Sequence, residues 1–283
     1  MQDGYFGGLL NGFAISDPIW GVSMTATATF YTGFGFAIAA DGRQRWEDAY
    51  TRDENVIVGE GEEFQKIFEI LRNDATLAHV LLGSIANRDR TFDLGVETRN
   101  QIALLGHTQF DNCHYFLHTL ADGLERTIKA AQRDGRLEDP PEAELAFIGY
   151  FKGKPCWIAI KFLPRPNPTG SLYEVVQTRL YPWYGWVNGS DVLRRLISAG
   201  DPRLAQYFPQ GYELPHDGSS MQEAIAFAKS YVDACCSPLA RALDPECEKI
   251  GGHVHIATVT PDKGFQWVIP PLRPATMESR KEL

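Results

Sequence analysis

Three residues near the start of the chain have side chains suited to acyl chemistry, and their spacing is suggestive. They are Thr25, Asp41 and Arg43. Thr25, Thr27 and Thr29 alternate with Ala26 and Ala28, so in an extended chain the three hydroxyls share one face. Gly33 and Gly35 punctuate the run. From Phe34 to Ala40 no polar residue intervenes, as expected of a strand buried on both faces, and it ends at Asp41-Gly42-Arg43. A threonine hydroxyl is a weak nucleophile until a base takes its proton, and carboxylates and cations nearby are what tune such a base. A core hairpin has no need to deliver an acid and a cation to its end.

The acid lies sixteen residues after Thr25 and the arginine two further on. With this spacing the stretch resembles the start of the mature proteasome β-subunit and its bacterial relatives in the N-terminal-nucleophile (Ntn) hydrolase superfamily. Further along, Gln65-Lys66-Ile67-Phe68-Glu69-Ile70 is similar to the family's strand whose lysine sits beside the nucleophile. Gly83-Ser84-Ile85-Ala86-Asn87 is similar to the segment whose glycine N–H serves as oxyanion donor, with Asn87 in place of the acid. Gly251-Gly252 followed by an alternating strand and a turn at Asp262-Lys263-Gly264 resembles the family's C-terminal hairpin.

The resemblance implies an α+β fold, the four-layer αββα sandwich, over residues 25–269. It implies Thr25 as nucleophile, with its own α-amine as base, in amide hydrolysis through an acyl-enzyme. By the same resemblance Lys66 tunes the amine, Asp41 orients Lys66, Arg43 buttresses the corner, and Gly83 donates to the oxyanion. Ser190, Gly251 and Gly252 are accessory candidates. A free terminal amine has a pKa of about 7.7–8.0, and a neighbouring ammonium favours its neutral form. No metal or organic cofactor is implied. The partners implied are a peptide or other amide substrate, further copies of the chain in a ring, and an unfoldase of unknown kind.

Two further positions depart from the family pattern. Ile250 stands where the family has a serine before Gly-Gly, and Cys247 stands where it has an acid. These departures favour an alternative, a catalytically silent structural subunit or binding scaffold with the same fold.

Residues 1–24 are glycine-rich, aromatic and almost uncharged. They read as a propeptide removed by self-cleavage before Thr25, or as an over-long start with translation beginning at Met24. In both cases Thr25 becomes the first residue. A permanent extension is the third reading, and it leaves Thr25 inert. Residues 270–283 are proline-rich, then charged, and read as a tail.

The positioning elements follow from pattern. Strands are expected at 25–30, 34–40, 56–58, 65–70, 75–82, 146–150, 155–160, 172–180, 251–260 and 265–269. Leu117, Leu120, Leu124 and Ile128 predict one helix after a loop starting at Asn87, and Ala224, Ala228, Tyr231 and Ala234 predict a long helix over 221–243. A shorter helix runs to Ile197. The aromatic knot at 181–186 reads as core, a subunit contact or a specificity pocket.

The chain of 283 residues carries a net charge of −9, which argues against nucleic acid as the main partner. No apolar run approaches the roughly 18 residues needed to cross a bilayer. Five cysteines without a C-x-x-C fit a reducing compartment, hence a cytoplasmic location, with Cys235-Cys236 as plain buried thiols. His114 and His118 stand i, i+4 on the predicted helix, near His107, Asp111 and Asp122; His253 and His255 stand i, i+2 on a strand. Each spacing can hold a metal, but neither comes with a full ligand set, so no metal is expected. No dinucleotide fingerprint and no G-x-S-x-G elbow is present.

Overall fold

The computed structural model describes residues 25–47, 57–61, 63–83, 91–178 and 185–272. The segment 1–24, Asn87, the aromatic residues 181–184 and the tail from 273 lie outside the described residues.

The fold is mixed α+β, with two five-stranded antiparallel sheets and five helices among the described residues. The first sheet begins with β1 (Thr27–Thr32) and β2 (Gly35–Ala40), paired as a hairpin from Thr27↔Ala40 to Thr32↔Gly35. Its turn holds because the Thr32 hydroxyl accepts the Phe34 N–H at 3.2 Å and the Gly33 N–H donates to the Asp217 carbonyl at 2.9 Å. Gly35 lets β11 come close: a Cβ there would lie 2.6 Å from the Val259 carbonyl oxygen.

A small ladder of β3 (Gln44–Glu47) and β4 (Ile57–Gly61) follows. The second sheet has the order β5 (Ile67–Arg72), β6 (Ala75–Gly83), β7 (Ala143–Phe151), β8 (Lys154–Phe162), β9 (Tyr173–Gln177). Lys152 and Gly153 both take positive φ, 49° and 73°, the pair of values that a two-residue turn between twisted strands requires. The first sheet is completed by β10 (Gly185–Asn188), β11 (His255–Thr260) and β12 (Gly264–Ile269), in the order β10-β1-β2-β11-β12.

Five helices cover these sheets. In α1 (Leu94–Leu104) the Asp93 carboxylate caps the start, accepting the Val96 N–H at 2.9 Å. In α2 (Cys113–Arg133) Leu117, Leu120, Leu124 and Ile128 are buried with Leu77, Leu145, Ile158 and Ile160 of the second sheet. The first sheet turns Ala26, Ala28 and Phe30 toward α3 (Asp191–Ser198), α4 (Met221–Cys235) and α5 (Pro238–Leu243). A third cluster joins the sheets: Phe36, Ile38, Ala40, Ala257 and Val259 meet Ile67, Ala78, Val80, Ala146 and Ile148. In β2 Ala37 and Ala39 face the helices while Phe36, Ile38 and Ala40 face the second sheet, which is why its sequence has no polar break.

Four expectations from pattern are corrected. A helix, α1, occupies part of what reads as a loop before α2; only Leu94, Gly95 and Thr98 of it are buried, so it carries almost no apolar period to detect. The predicted helix over 221–243 is two helices. Ser237 caps the second, accepting the Ala240 N–H at 3.0 Å, and Pro238 opens it, removing an N–H that a continuous helix would need. The charged stretch after Arg43 holds two short strands rather than one. Cys236, at the end of α4, is half-buried rather than buried.

His79 of β6 is fully buried between Phe68 and Phe147, with ring centroids 4.8 and 5.9 Å away, and neither ring nitrogen has a hydrogen-bond partner among the described residues. Burial, helped by the Arg99 charge, pushes its pKa down from 6.5 to about 3. The unfolded chain therefore binds a proton below pH 6.5 that the folded chain refuses, so stability is full above that value and falls as pH drops. Between pH 7 and pH 5 this residue should cost about 2 kcal/mol, and His79→Leu should flatten the acid limb of a urea-midpoint-against-pH curve by about that amount. Parallel curves for the two proteins would refute the assignment.

Candidate active site

Thr25 is the first residue the structure describes, two residues before β1 begins at Thr27. Asp41 follows immediately after β2. Because β1 and β2 pair Thr27 with Ala40, the hairpin brings Thr25 and Asp41 to the same end of the sheet. The Asp41 N–H donates to the Ala26 carbonyl at 3.0 Å, and the Ala26 N–H donates back to Asp41 Oδ1 at 2.9 Å. Lys66 comes from the other sheet, one residue ahead of β5. Its Nζ donates to Asp41 Oδ1 at 2.8 Å and reaches Thr25 Oγ1 at 3.4 Å. All three side chains are buried.

Arg43 and Gly251 close the corner. The Gly251 carbonyl accepts the N–H groups of Gly42 and Arg43 at 3.0 and 2.8 Å. Asp41 Oδ2 accepts the N–H of Gly251 and of Arg43, each at 3.2 Å. The Arg43 guanidinium donates to the Glu248 carbonyl at 2.7 Å. Its plane crosses so close over Gly251 that a Cβ there would lie 2.7 Å from Arg43 Cζ, so glycine is the residue this approach demands.

Burial pushes the Asp41 carboxyl above its ordinary range; the Lys66 ammonium opposes this first, then the amides of Gly251 and Ala26. Its described hydrogen-bond partners, Lys66 Nζ and the N–H groups of Ala26, Arg43 and Gly251, are all donors. They match an ionised carboxylate, and a carboxyl proton would find no acceptor among them.

The remaining candidates are placed as follows. Gly83, with φ 88°, ends β6, whose Leu81 N–H donates to the Lys66 carbonyl at 3.1 Å. Ser190 follows β10, the partner of β1, and caps α3 by accepting the Leu193 N–H at 3.1 Å. Its hydroxyl donates to Asp244 Oδ2 at 2.7 Å. Gly189 before it has φ 138° and packs near Ala26, tying this turn to the Thr25 strand. Gly252, φ 77°, bends the chain into β11. The acid beside Ser190 is Asp244; position 247, where the pattern expects it, holds a buried thiol whose pKa burial pushes up to about 11. Ile250 is buried among the helices and strands of the first sheet and offers no hydroxyl.

Two residues acquire roles that spacing did not assign. Asp244 is one. The other is His255, weighed in the sequence only as half of a metal pair with His253. The structure separates the two: His253 Nε2 lies 2.9 Å from the Pro270 carbonyl, while His255 Nε2 accepts the Lys66 N–H at 3.0 Å. His114 and His118 do meet, with Nε2 atoms 3.0 Å apart. Among the described residues no group of three or more His, Cys, Asp or Glu is gathered that could hold a metal. No described helix is long and apolar enough to cross a membrane.

No family model matches the chain, and no curated protein matches it. Among solved structures it is similar to Anbu (ancestral beta-subunit) from Yersinia bercovieri, at 12% identity and a TM-score of 0.47, over 86% of this chain and 87% of that one. It is also similar to a Gly-1 mutant of Anbu from Hyphomicrobium sp. strain MC1, at 15% identity and a TM-score of 0.49, over 87% of each chain.

The Lys66–Asp41 pair makes a strong demand on stability. Asp41→Asn removes the charge that balances a buried ammonium and should cost about 3–5 kcal/mol in chemical denaturation at pH 7. Asp41→Asn combined with Lys66→Met should cost less than the two single changes added together, because the double change leaves no buried charge alone. Strict additivity would show that the two groups are not coupled.

Proposed function

We propose that this chain is a threonine-type Ntn hydrolase of the proteasome-like kind, with the four-layer αββα arrangement over residues 25–269, cleaving peptide or other amide bonds. The observation that supports it is the Lys66 ammonium, 3.4 Å from Thr25 Oγ1 and 2.8 Å from Asp41 Oδ1 in a buried corner. In the full chain the Thr25 nitrogen belongs to the peptide bond with Met24. The reading therefore requires that bond to be cut, by self-cleavage of residues 1–24 or, where translation starts at Met24, by removal of that initiator methionine.

Once free, the Thr25 amine takes the proton of its own hydroxyl, and Oγ1 attacks the substrate carbonyl carbon. The Gly83 N–H donates to the oxyanion that forms. The proton passes to the departing amine as the C–N bond breaks, leaving an ester on Thr25. Water, deprotonated by the same amine, then hydrolyses the ester. Lys66 disfavours a charged amine beside it by like-charge repulsion, Asp41 holds Lys66 in place, and Arg43 anchors Asp41's loop to Glu248 and Gly251. Ser190 with Asp244, and Gly252, support this end of the sheet. No metal or organic cofactor takes part. Copies of the chain form a ring in the cytoplasm, with an unfoldase as a further partner.

A second reading, a silent structural subunit or scaffold, draws its support from Ile250, which is packed into the core where the family pattern has a serine.

Intact mass and a peptide epoxyketone separate the two. Under the hydrolase reading the purified protein begins at Thr25, and the epoxyketone forms a morpholine ring on its hydroxyl and amine. Thr25→Ala should abolish the adduct, and Lys66→Ala should slow it by about two orders of magnitude, comparable to losing a strong electrostatic contribution at a reacting centre. A chain that retains Met1 and takes no label favours the scaffold.

A further inference from the structure

We propose that His255 is a positioning residue for Lys66: its Nε2 accepts the Lys66 backbone N–H and so clamps the second sheet's lysine against the first sheet's threonine. Thr25 and Asp41 belong to the first sheet, whereas Lys66 arrives from the second. Something must fix the distance across that gap. The apolar cluster between the sheets holds them together but is not directional.

The backbone at Lys66 shows where direction comes from. In an antiparallel ladder a hydrogen-bonded pair exchanges two bonds. Between Lys66 and Leu81 one is described, the Leu81 N–H to the Lys66 carbonyl at 3.1 Å. The Lys66 N–H goes instead to the imidazole of His255, at 3.0 Å. His255 opens β11 and is paired with Ala40, the residue before Asp41. One buried imidazole therefore spans from the strand end that carries Asp41 to the peptide group that carries the lysine.

The ring's chemistry fits this task. Nδ1 faces the His253 carbonyl at 3.4 Å, so it carries the proton, and Nε2 keeps a lone pair for the Lys66 N–H. The Trp267 ring packs at 6.1 Å centroid distance and shields it. Burial pushes the imidazole pKa down to about 3; the His253 carbonyl opposes this by accepting from the ring, and the Lys66 charge adds to the fall. The ring thus stays neutral and remains an acceptor across the physiological range. A lysine, arginine or protonated histidine could not accept this bond. Among natural side chains glutamine comes nearest, because its Oε1 can take the place of Nε2.

The consequence for Thr25 rests on the hydrolase reading, but the clamp itself does not. The test therefore has arms that fail separately. In the full-length protein, His255→Gln should keep exchange of the Lys66 amide hydrogen within about threefold of wild type. His255→Phe should speed it by at least about tenfold while Ile148 in β7 is unchanged. Epoxyketone labelling of Thr25 should follow the same order, near wild type for Gln and about tenfold or more slower for Phe. Equal protection of Lys66 in both variants would overturn the proposal, as would equal labelling of both where wild-type Thr25 takes the label. If His255→Phe fails to fold, the ¹⁵N shifts of the wild-type ring decide it: a proton on Nδ1 supports the clamp, and one on Nε2 overturns it. If wild-type Thr25 takes no label, the hydrolase reading fails, and amide exchange and ring tautomer still decide the clamp.

Discussion

The structure turns on one buried ion pair that joins two sheets. Lys66 and Asp41 meet at 2.8 Å, out of contact with solvent on the aspartate side. Taking both charges out of water costs more than their attraction returns unless other hydrogen bonds complete the arrangement. Here they do. Three backbone N–H groups, those of Ala26, Arg43 and Gly251, converge on the same carboxylate. Such a pair is a poor device for stability and a good one for holding an ammonium where water cannot screen it. A carbon-lined core would have been a simpler way to join the sheets, and most of the contact between them is of that kind.

The same constraint accounts for the backbone around the pair. The Gly251 carbonyl accepts two N–H groups and its own N–H goes to Asp41, while the Arg43 guanidinium passes over its Cα. Ser190 plays a double part, capping α3 and donating to Asp244. The site is therefore assembled from strand ends and helix caps, where backbone groups left over from regular pairing are available to side chains. The His255–Lys66 contact is one more instance, a ladder N–H diverted to an imidazole.

Legibility in the sequence was uneven for physical reasons. Strands buried on both faces appear as unbroken apolar runs, as in Gly35–Ala40 and from Leu145 onward in Ala143–Phe151. The helix Cys113–Arg133 announces itself because one face is buried along its length. Leu94–Leu104 does not, since only Leu94, Gly95 and Thr98 of it are buried. The break at Ser237-Pro238 is written in the sequence, but an apolar period running through it masks the cap. Asp244 was hidden in a different way. It reaches Ser190 across fifty-four residues, and position 247, where the pattern looks for the acid, holds a thiol.

The sequence by itself determined the local things: alternation along Thr25–Thr29, the turn glycines, and an acid placed at the end of a strand. These depend on neighbours a few residues apart, and the periods of strand and helix carry that information. Only the tertiary structure decided what Lys66 and His255 touch. Their partners lie 25, 41 and 189 residues away, and which of many possible long-range contacts forms is set by how two sheets stack and in what register. Register is a property of the packed whole, because a slip of one residue would turn each side chain of a strand to its other face.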